Sequence, residues 1–192
     1  MPGLDESLLR ALNDLAGSSV ALDVAMIGFT VLGSAVVIAG MAISIWMKGR
    51  RELAVDVLFL LVLCLVSEYA IKVIVARDRP TAVLEDLNAA QIDFMSTASG
   101  YSFPSGHATR AFAIAAIASL NFRLGLRYVG FIIAAFVSIS RVFLGVHWPT
   151  DIIGGALLGV VLAYMMHTIV TKNARYATFR RRITGHQAII RE

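Results

Sequence analysis

The sequence predicts an all-α fold: a polytopic membrane helical bundle of about five transmembrane helices, preceded by an N-terminal interfacial helix. Three observations lead there. Hydrophobic residues make up 58% of the 192 residues and charged residues only 16%, with a mean hydropathy of +0.76, whereas a soluble domain carries about 25% charge to cover its surface. Two runs, 24–47 and 152–171, hold no charged residue, and ~20 mostly apolar residues suffice to span a bilayer. Finally, three clusters of polar residues fall at helix ends on one expected side of such a bundle.

The same numbers exclude other classes. Disorder is ruled out because the chain has more apolar surface than it can leave wet. The single cysteine, Cys64, rules out an internal disulfide framework and a cysteine metal cluster. The net charge of +4 fits the positive-inside bias of membrane proteins. Nucleic acid is not an expected partner, since no basic stripe with interleaved aromatics lies on a polar face. The first 20 residues carry Asp5, Glu6 and Asp14 against Arg10, which is not the basic front of a secretory signal.

Element by element, 1–19 reads as the interfacial helix. Leu8, Leu9, Leu12 and Leu15 recur at helical spacing, with Asp5 as a cap and Gly17 as a stop. The expected spans are about 21–46, 53–75, 106–121, 125–142 and 150–171. The second contains Asp56, Glu68 and Lys72, each costing ~3 kcal/mol at mid-membrane. Fifteen Leu, Ile, Val and Phe residues in 53–76 return ~0.3–0.6 kcal/mol each, so the terms roughly cancel. The third and fourth reach spanning length only if His107 and Arg141 face a protein-lined cavity. Gly155 and Gly159 form a small-xxx-small pair, and the third span is alanine-rich, both favouring close helix approach. Residues 76–105 form a long connection of the kind that is usually functional, and 172–192 a basic tail. The chain is expected to be one domain.

Orientation follows from the basic residues. Lys48, Arg50, Arg51, Arg123, Arg127 and the tail residues Lys172, Arg175, Arg180, Arg181, Arg182 and Arg191 fall on one side, which should be cytoplasmic. The 76–105 and 143–149 loops then face outward from the plasma membrane, and the tail is expected to meet anionic headgroups.

Three polar clusters lie at those outward ends: Lys72 to Arg79-Pro80, then Pro104-Ser105-Gly106-His107, then Ser140-Arg141 followed by His147 and Asp151. Charges at membrane depth are costly and usually functional. Lys72, Arg79 and Arg141 offer cations, and arginine's planar fork suits phosphate oxygens. The helix start at Ser105-Gly106 offers free amides that a phosphate can approach closely. His147 and Asp151 are four apart, so one helical turn can bring a carboxylate to Nδ1 and leave Nε2 as a nucleophile. His107 can protonate a leaving oxygen. Glu68, one turn before Lys72, reads as its structural ion-pair partner. Arg77 and Asp78 are open between pocket mouth and solvated loop. His167 and His186 are expected to be non-catalytic.

These residues resemble the type 2 phosphatidic acid phosphatase superfamily of membrane lipid phosphatases, whose signature is K-x6-RP, PSGH and SR-x5-H-x3-D. Every signature position is matched, and the resemblance covers about 53–171. It implies that His147 becomes a transient phosphohistidine, with Asp151 orienting it and His107 as the acid. Lys72, Arg79, Ser105, Gly106 and Arg141 would hold the phosphoryl group, and no metal or other cofactor is needed. The small size, with Leu-Asn-Asp-Leu-Ala-Gly before the first span, is similar to the bacitracin-resistance type of undecaprenyl-diphosphate phosphatase. That implies a polyprenyl diphosphate substrate, with phosphatidylglycerol phosphate or phosphatidic acid as the alternative. A vanadate-dependent haloperoxidase shares such a pocket but resembles soluble proteins. A lipid carrier with a dead site is opposed by the intact His107, His147 and Asp151. The oligomeric state is not readable from the sequence.

Overall fold

A computed structural model describes residues 3–88, 100–121 and 124–185, with side chains omitted for 121–127. Residues 89–99 of the long connection, Arg123, His186 and Arg191 therefore lie outside the described residues. All regular structure among the described residues is helical: α1 (Leu4–Asn13), α2 (Val20–Leu32), α3 (Ala35–Met47), α4 (Arg51–Val75), α5 (Pro80–Val83), α6 (Gly106–Asn121), α7 (Leu124–Phe143), α8 (Pro149–Lys172) and α9 (Ala174–Thr184).

The segment Arg51–Val83 and helix α8 are each long and apolar enough to cross a membrane. The first expected span is not one straight helix. Its apolar run breaks into α2 and α3, which meet at a 60° bend. Gly33 ends α2, and Ser34 starts α3 by accepting a hydrogen bond from the Val37 amide at 3.3 Å. That is ordinary N-capping chemistry. Hydropathy is blind to it, because both halves are equally apolar.

Helix α6 is the centre of the bundle, packed against α8, α7 and α4. The small residues explain how closely. A Cβ added at Gly155 would lie 2.6 Å from the Ser105 carbonyl oxygen, and one at Gly159 would collide with the Thr109 carbonyl. Below this contact Ala113, Ala116, Leu60, Cys64, Leu162 and Met166 form the main apolar core. The backbone amide of Ser105 donates to the Asp151 carbonyl at 3.0 Å. The start of α6 is thus fixed against the start of α8, and the two motifs that open these helices become neighbours.

Both termini are more tightly held than their amphipathic patterns imply. Leu9 of α1 is fully buried against Val142 and Trp148, and the Asn13 side chain donates to the Phe143 carbonyl at 2.9 Å. Leu4 and Leu8 remain exposed. Asp5 lies inside the first turn, while Gly3 holds the capping position. At the other end, α9 docks on α4 through Asp56. Its carboxylate accepts from the Tyr176 hydroxyl at 2.8 Å and from Arg180 at 2.7 Å, and Arg180 also reaches Glu52 at 2.9 Å.

Candidate active site

The turn 144–148 between α7 and α8 presents His147, which is 2% exposed, and Asp151, which is fully buried. Pro149 opens α8 with its φ preset for a helix, and this puts Asp151 in the first turn, below the imidazole. The Nδ1 atom of His147 lies 3.3 Å from Asp151 Oδ2, and the same oxygen accepts the Trp148 amide at 2.9 Å. On the other side of the ring, Nε2 lies 3.4 Å from Nη1 of Arg79. A guanidinium only donates and a carboxylate only accepts. The pairings therefore select the tautomer with the proton on Nδ1 and a lone pair on Nε2. Burial, and then the charges of Arg79, Arg141 and Lys72, hold His147 well below the usual imidazole range, so it is neutral at pH 7 and able to attack.

Around Nε2 gather cations that have no carboxylate within ion-pair distance among the described residues. Arg79 spends its donors on the carbonyls of Val146 at 2.8 Å, Gly100 at 2.9 Å and Tyr101 at 3.2 Å. Lys72 donates to the Tyr101 carbonyl at 3.2 Å. Arg141 donates through Nη1 to the Thr30 hydroxyl at 3.0 Å. Among the described residues, Ser105 Oγ and Arg141 Nε are buried with no hydrogen-bond partner. Leaving such groups unpaired costs about 1–3 kcal/mol each. They are donors that a phosphate can satisfy. Beside them the first-turn amides of α6 have no intrahelical acceptor.

His107 lies one residue further into α6, within electrostatic reach of Lys72, Arg141 and His147. Its Nδ1 is 3.4 Å from Nη2 of Arg110. Arg110 only donates, so the ring proton belongs on Nε2. Arg110 is clamped in turn: Nη1 meets both oxygens of Glu68 at 2.9 and 3.0 Å, and Nε meets the Gly33 carbonyl at 3.2 Å. A Cβ on Gly106 would run into the Glu68 carboxylate, and one on Gly33 would lie 3.1 Å from the His107 ring. The helix break at Gly33 thus forms the wall against which His107 rests.

Residues 53–175 match the family model described as the PAP2 superfamily, and all eleven signature positions fall within this stretch. The chain belongs to the PAP2 superfamily. It is 29% identical over 158 residues to YbjG of Escherichia coli strain K12, a candidate undecaprenyl-diphosphatase by name, covering 81% of this chain and 75% of that one. Other curated relatives are spanned over about half their length or less. Among solved structures it is similar to LpxE of Aquifex aeolicus, with TM-score 0.74, 27% identity and coverage of 87% of this chain and 96% of that one. It is also similar to the transmembrane PAP2-type phosphatidylglycerolphosphate phosphatase of Bacillus subtilis, with TM-score 0.70, 26% identity and coverage of 90% and 87%.

Two arginines outside the PAP2 signature take part in this geometry. Arg77, left open between pocket mouth and loop, contacts Asp151 Oδ1 at 2.8 Å. Arg110 was not singled out by sequence reading at all. It takes the Glu68 ion pair that the sequence assigned to Lys72. Its spacing of three from His107 was the available signal, since residues i and i+3 share a helix face.

Proposed function

We propose that this PAP2 protein is an integral membrane lipid phosphatase that hydrolyses a polyprenyl (undecaprenyl-type) diphosphate to the monophosphate through a phosphohistidine. The observation that carries the mechanism is the unprotonated Nε2 of His147, which faces Arg79 while Asp151 backs Nδ1. Nε2 attacks the terminal phosphorus and the bond to the bridging oxygen breaks. The lipid monophosphate leaves with a hydrogen bond from His107 Nε2. Asp151 stabilises the positive ring that forms. Water then attacks the phosphohistidine, its proton stays with the phosphate that forms, and inorganic phosphate and free His147 are released. Lys72, Arg79, Arg141, Ser105 and the amides at Gly106 stabilise the charge that grows on the phosphoryl oxygens. With this many protein cations, no metal ion is called for.

Two observations favour a diphosphate over a phosphate monoester. One is the name of the Escherichia coli relative. The other is the contact of Arg110 with Nδ1 of His107, which leaves the ring a single proton to offer. A departing lipid monophosphate is a weak base, for which one hydrogen bond suffices. A departing alkoxide from a diacylglycerol phosphate is a strong base and needs full proton transfer. Phosphatidylglycerol phosphate remains the second reading, on the strength of the Bacillus subtilis structure.

In this reading the chain crosses the membrane five times, with α2 and α3 together making one broken crossing. The catalytic end faces outward from the plasma membrane, and α9 is cytoplasmic. The Lys48–Arg51 turn and the Arg180–Asp56 contact lie at the same end of α4, which supports that orientation. Phosphate release by purified protein in detergent is the test, with polyprenyl diphosphate and diacylglycerol phosphates supplied in parallel. Release from neither would refute the phosphatase reading, and faster release from the diacylglycerol phosphates would favour the second.

A further inference from the structure

Arg77 lies on the extended stretch that follows Ala76, a non-glycine residue in left-handed conformation (φ 47°) at the end of α4. Nothing helical holds Arg77, yet its guanidinium has four partners. Nη1 donates to Asp151 Oδ1 at 2.8 Å and to the Thr150 hydroxyl at 2.6 Å. Nη2 donates to Asp5 Oδ2 at 2.6 Å. Its carbon lies 5.1 Å from the Trp148 ring centre, within cation–π range.

Asp5 is on α1, outside the PAP2 match at 53–175. It also accepts from the Thr150 amide at 2.9 Å and from the Thr150 hydroxyl at 2.6 Å. The helix that carries it is pinned twice more, by Arg10 on Asp86 at 2.7 Å and by Asn13 on the Phe143 carbonyl. The N-terminal helix is therefore bolted to both ends of the turn that carries His147.

Asp151 has two oxygens with separate duties. Oδ2 takes His147 and the Trp148 amide, and Oδ1 takes Arg77. Rotation of the carboxylate breaks one set or the other, so the Arg77 bond sets the angle at which Oδ2 meets the imidazole. We propose that Arg77 and Asp5 form a latch by which the N-terminal helix positions the His147–Asp151 pair. Both are positioning residues that touch neither substrate nor the attacked phosphorus. Arg77 acts through Asp151, and Asp5 acts through Arg77. Lysine cannot replace Arg77 fully, because one ammonium cannot present a planar fork to both carboxylates.

The proposal rests on the reading of His147 as nucleophile, and its test has two arms. The first arm measures kcat and KM on polyprenyl diphosphate for wild type, Arg77→Gln, Arg77→Lys, Asp5→Asn and the Asp5→Asn/Arg77→Gln double variant. Misplacing a reacting group by about 1 Å costs on the order of 10²-fold. We expect kcat of Arg77→Gln to fall by about 10- to 100-fold with KM within about twofold, and Arg77→Lys to recover part of the loss. Asp5→Asn should lower kcat alone and have no further effect beside Arg77→Gln, the non-additivity of residues in one network. Equal effects of Asp5→Asn in both backgrounds, or an unchanged kcat in Arg77→Gln, would overturn the latch. The second arm needs no turnover: calorimetric binding of orthovanadate, a five-coordinate phosphate mimic, to the same five proteins. Arg77→Gln should bind it more weakly than wild type, with Arg77→Lys between them, and unchanged binding would count against the latch. If wild type binds vanadate with these losses but releases no lipid phosphate, the phosphatase reading fails and the latch stands. Should Arg77→Gln not fold, the comparison of Arg77→Lys with Asp5→Asn carries both arms.

Discussion

Two buried carboxylates at opposite ends of the bundle have similar company and different consequences. At the end where α9 docks, Asp56 accepts from a ring-borne hydroxyl, Tyr176, and from Arg180. At the opposite end Asp151 accepts from a ring nitrogen, His147, and from Arg77. Each carboxylate is thus satisfied. The difference lies in what surrounds the pair. Arg180 is shared between two acids, Asp56 and Glu52, so its charge is spent. Around His147, Lys72, Arg79 and Arg141 have no carboxylate within ion-pair distance among the described residues; carbonyls and one hydroxyl take their donors. An orphaned donor is not by itself diagnostic, because Arg180 Nε lacks a partner just as Arg141 Nε does. What marks this end as the candidate site is positive charge without ion-pair partners converging on an unprotonated imidazole nitrogen, since buried cations are normally paired. A buried ion pair without that surplus is a fastening.

The sharpest way to break this comparison is to exchange the fates of the two ends. His147→Ala should abolish turnover on every substrate. Asp151→Asn should lower kcat by about 10²–10⁴-fold, as loss of the orienting carboxylate does in comparable pairs, while the protein still folds. Asp56→Asn should leave kcat within about twofold and instead lower thermal stability in detergent, by on the order of 1–3 kcal/mol for a buried polar network left incomplete. Activity lost with stability intact in Asp56→Asn would end the distinction between fastening and site.

His107 sharpens the comparison within the site. General acid catalysis contributes about 10²–10⁴-fold, and a poor leaving group needs it most. His107→Ala should therefore slow diacylglycerol phosphate hydrolysis much more than polyprenyl diphosphate hydrolysis, whereas His147→Ala removes both. Equal kcat/KM losses on the two substrates would show that His107 holds phosphate instead of donating a proton.

A smaller effect follows from pH. In the proposed mechanism the neutral form of His147 is the nucleophile, and burial with Arg79, Arg141 and Lys72 nearby holds its proton affinity below the ordinary imidazole value. As pH falls through 6.5, where a free imidazole becomes half protonated, kcat/KM should persist and decline only at lower pH. A decline centred at or above 6.5 would mean that the ring is not shielded in this way.

Much of the site was legible because the signature residues stand at fixed spacings that survive any uncertainty about helix ends. Lys72 to Arg79, Ser105 to His107 and Arg141 to Asp151 carry their register in the chain itself. What bends or bridges was harder to read. The break at Gly33-Ser34 leaves the hydropathy of 24–47 untouched, and only the serine cap hints at it. Arg110 stands at the edge of an apolar run and outside every signature motif, so nothing in its local pattern marks it as a partner for Glu68. Asp5 resembled a cap, and α1 a helix for the membrane surface, because amphipathicity does not say whether lipid or protein covers the apolar face. Here protein covers Leu9, while Leu4, Leu8 and Leu15 stay exposed. The docking of the tail on Asp56 through Arg180 and Tyr176 was likewise not visible in its basic composition.

The central claim is that His147 carries the phosphoryl group, and it can be observed directly. Purified protein is mixed briefly with polyprenyl diphosphate labelled in its terminal phosphate, quenched with alkali, and examined for protein-bound label, since phosphohistidine survives alkali and is lost in acid. The account predicts an alkali-stable, acid-labile label in wild type, on the peptide containing His147, and none in His147→Ala. Turnover of the substrate by His147→Ala, or label that persists in that variant, would contradict it.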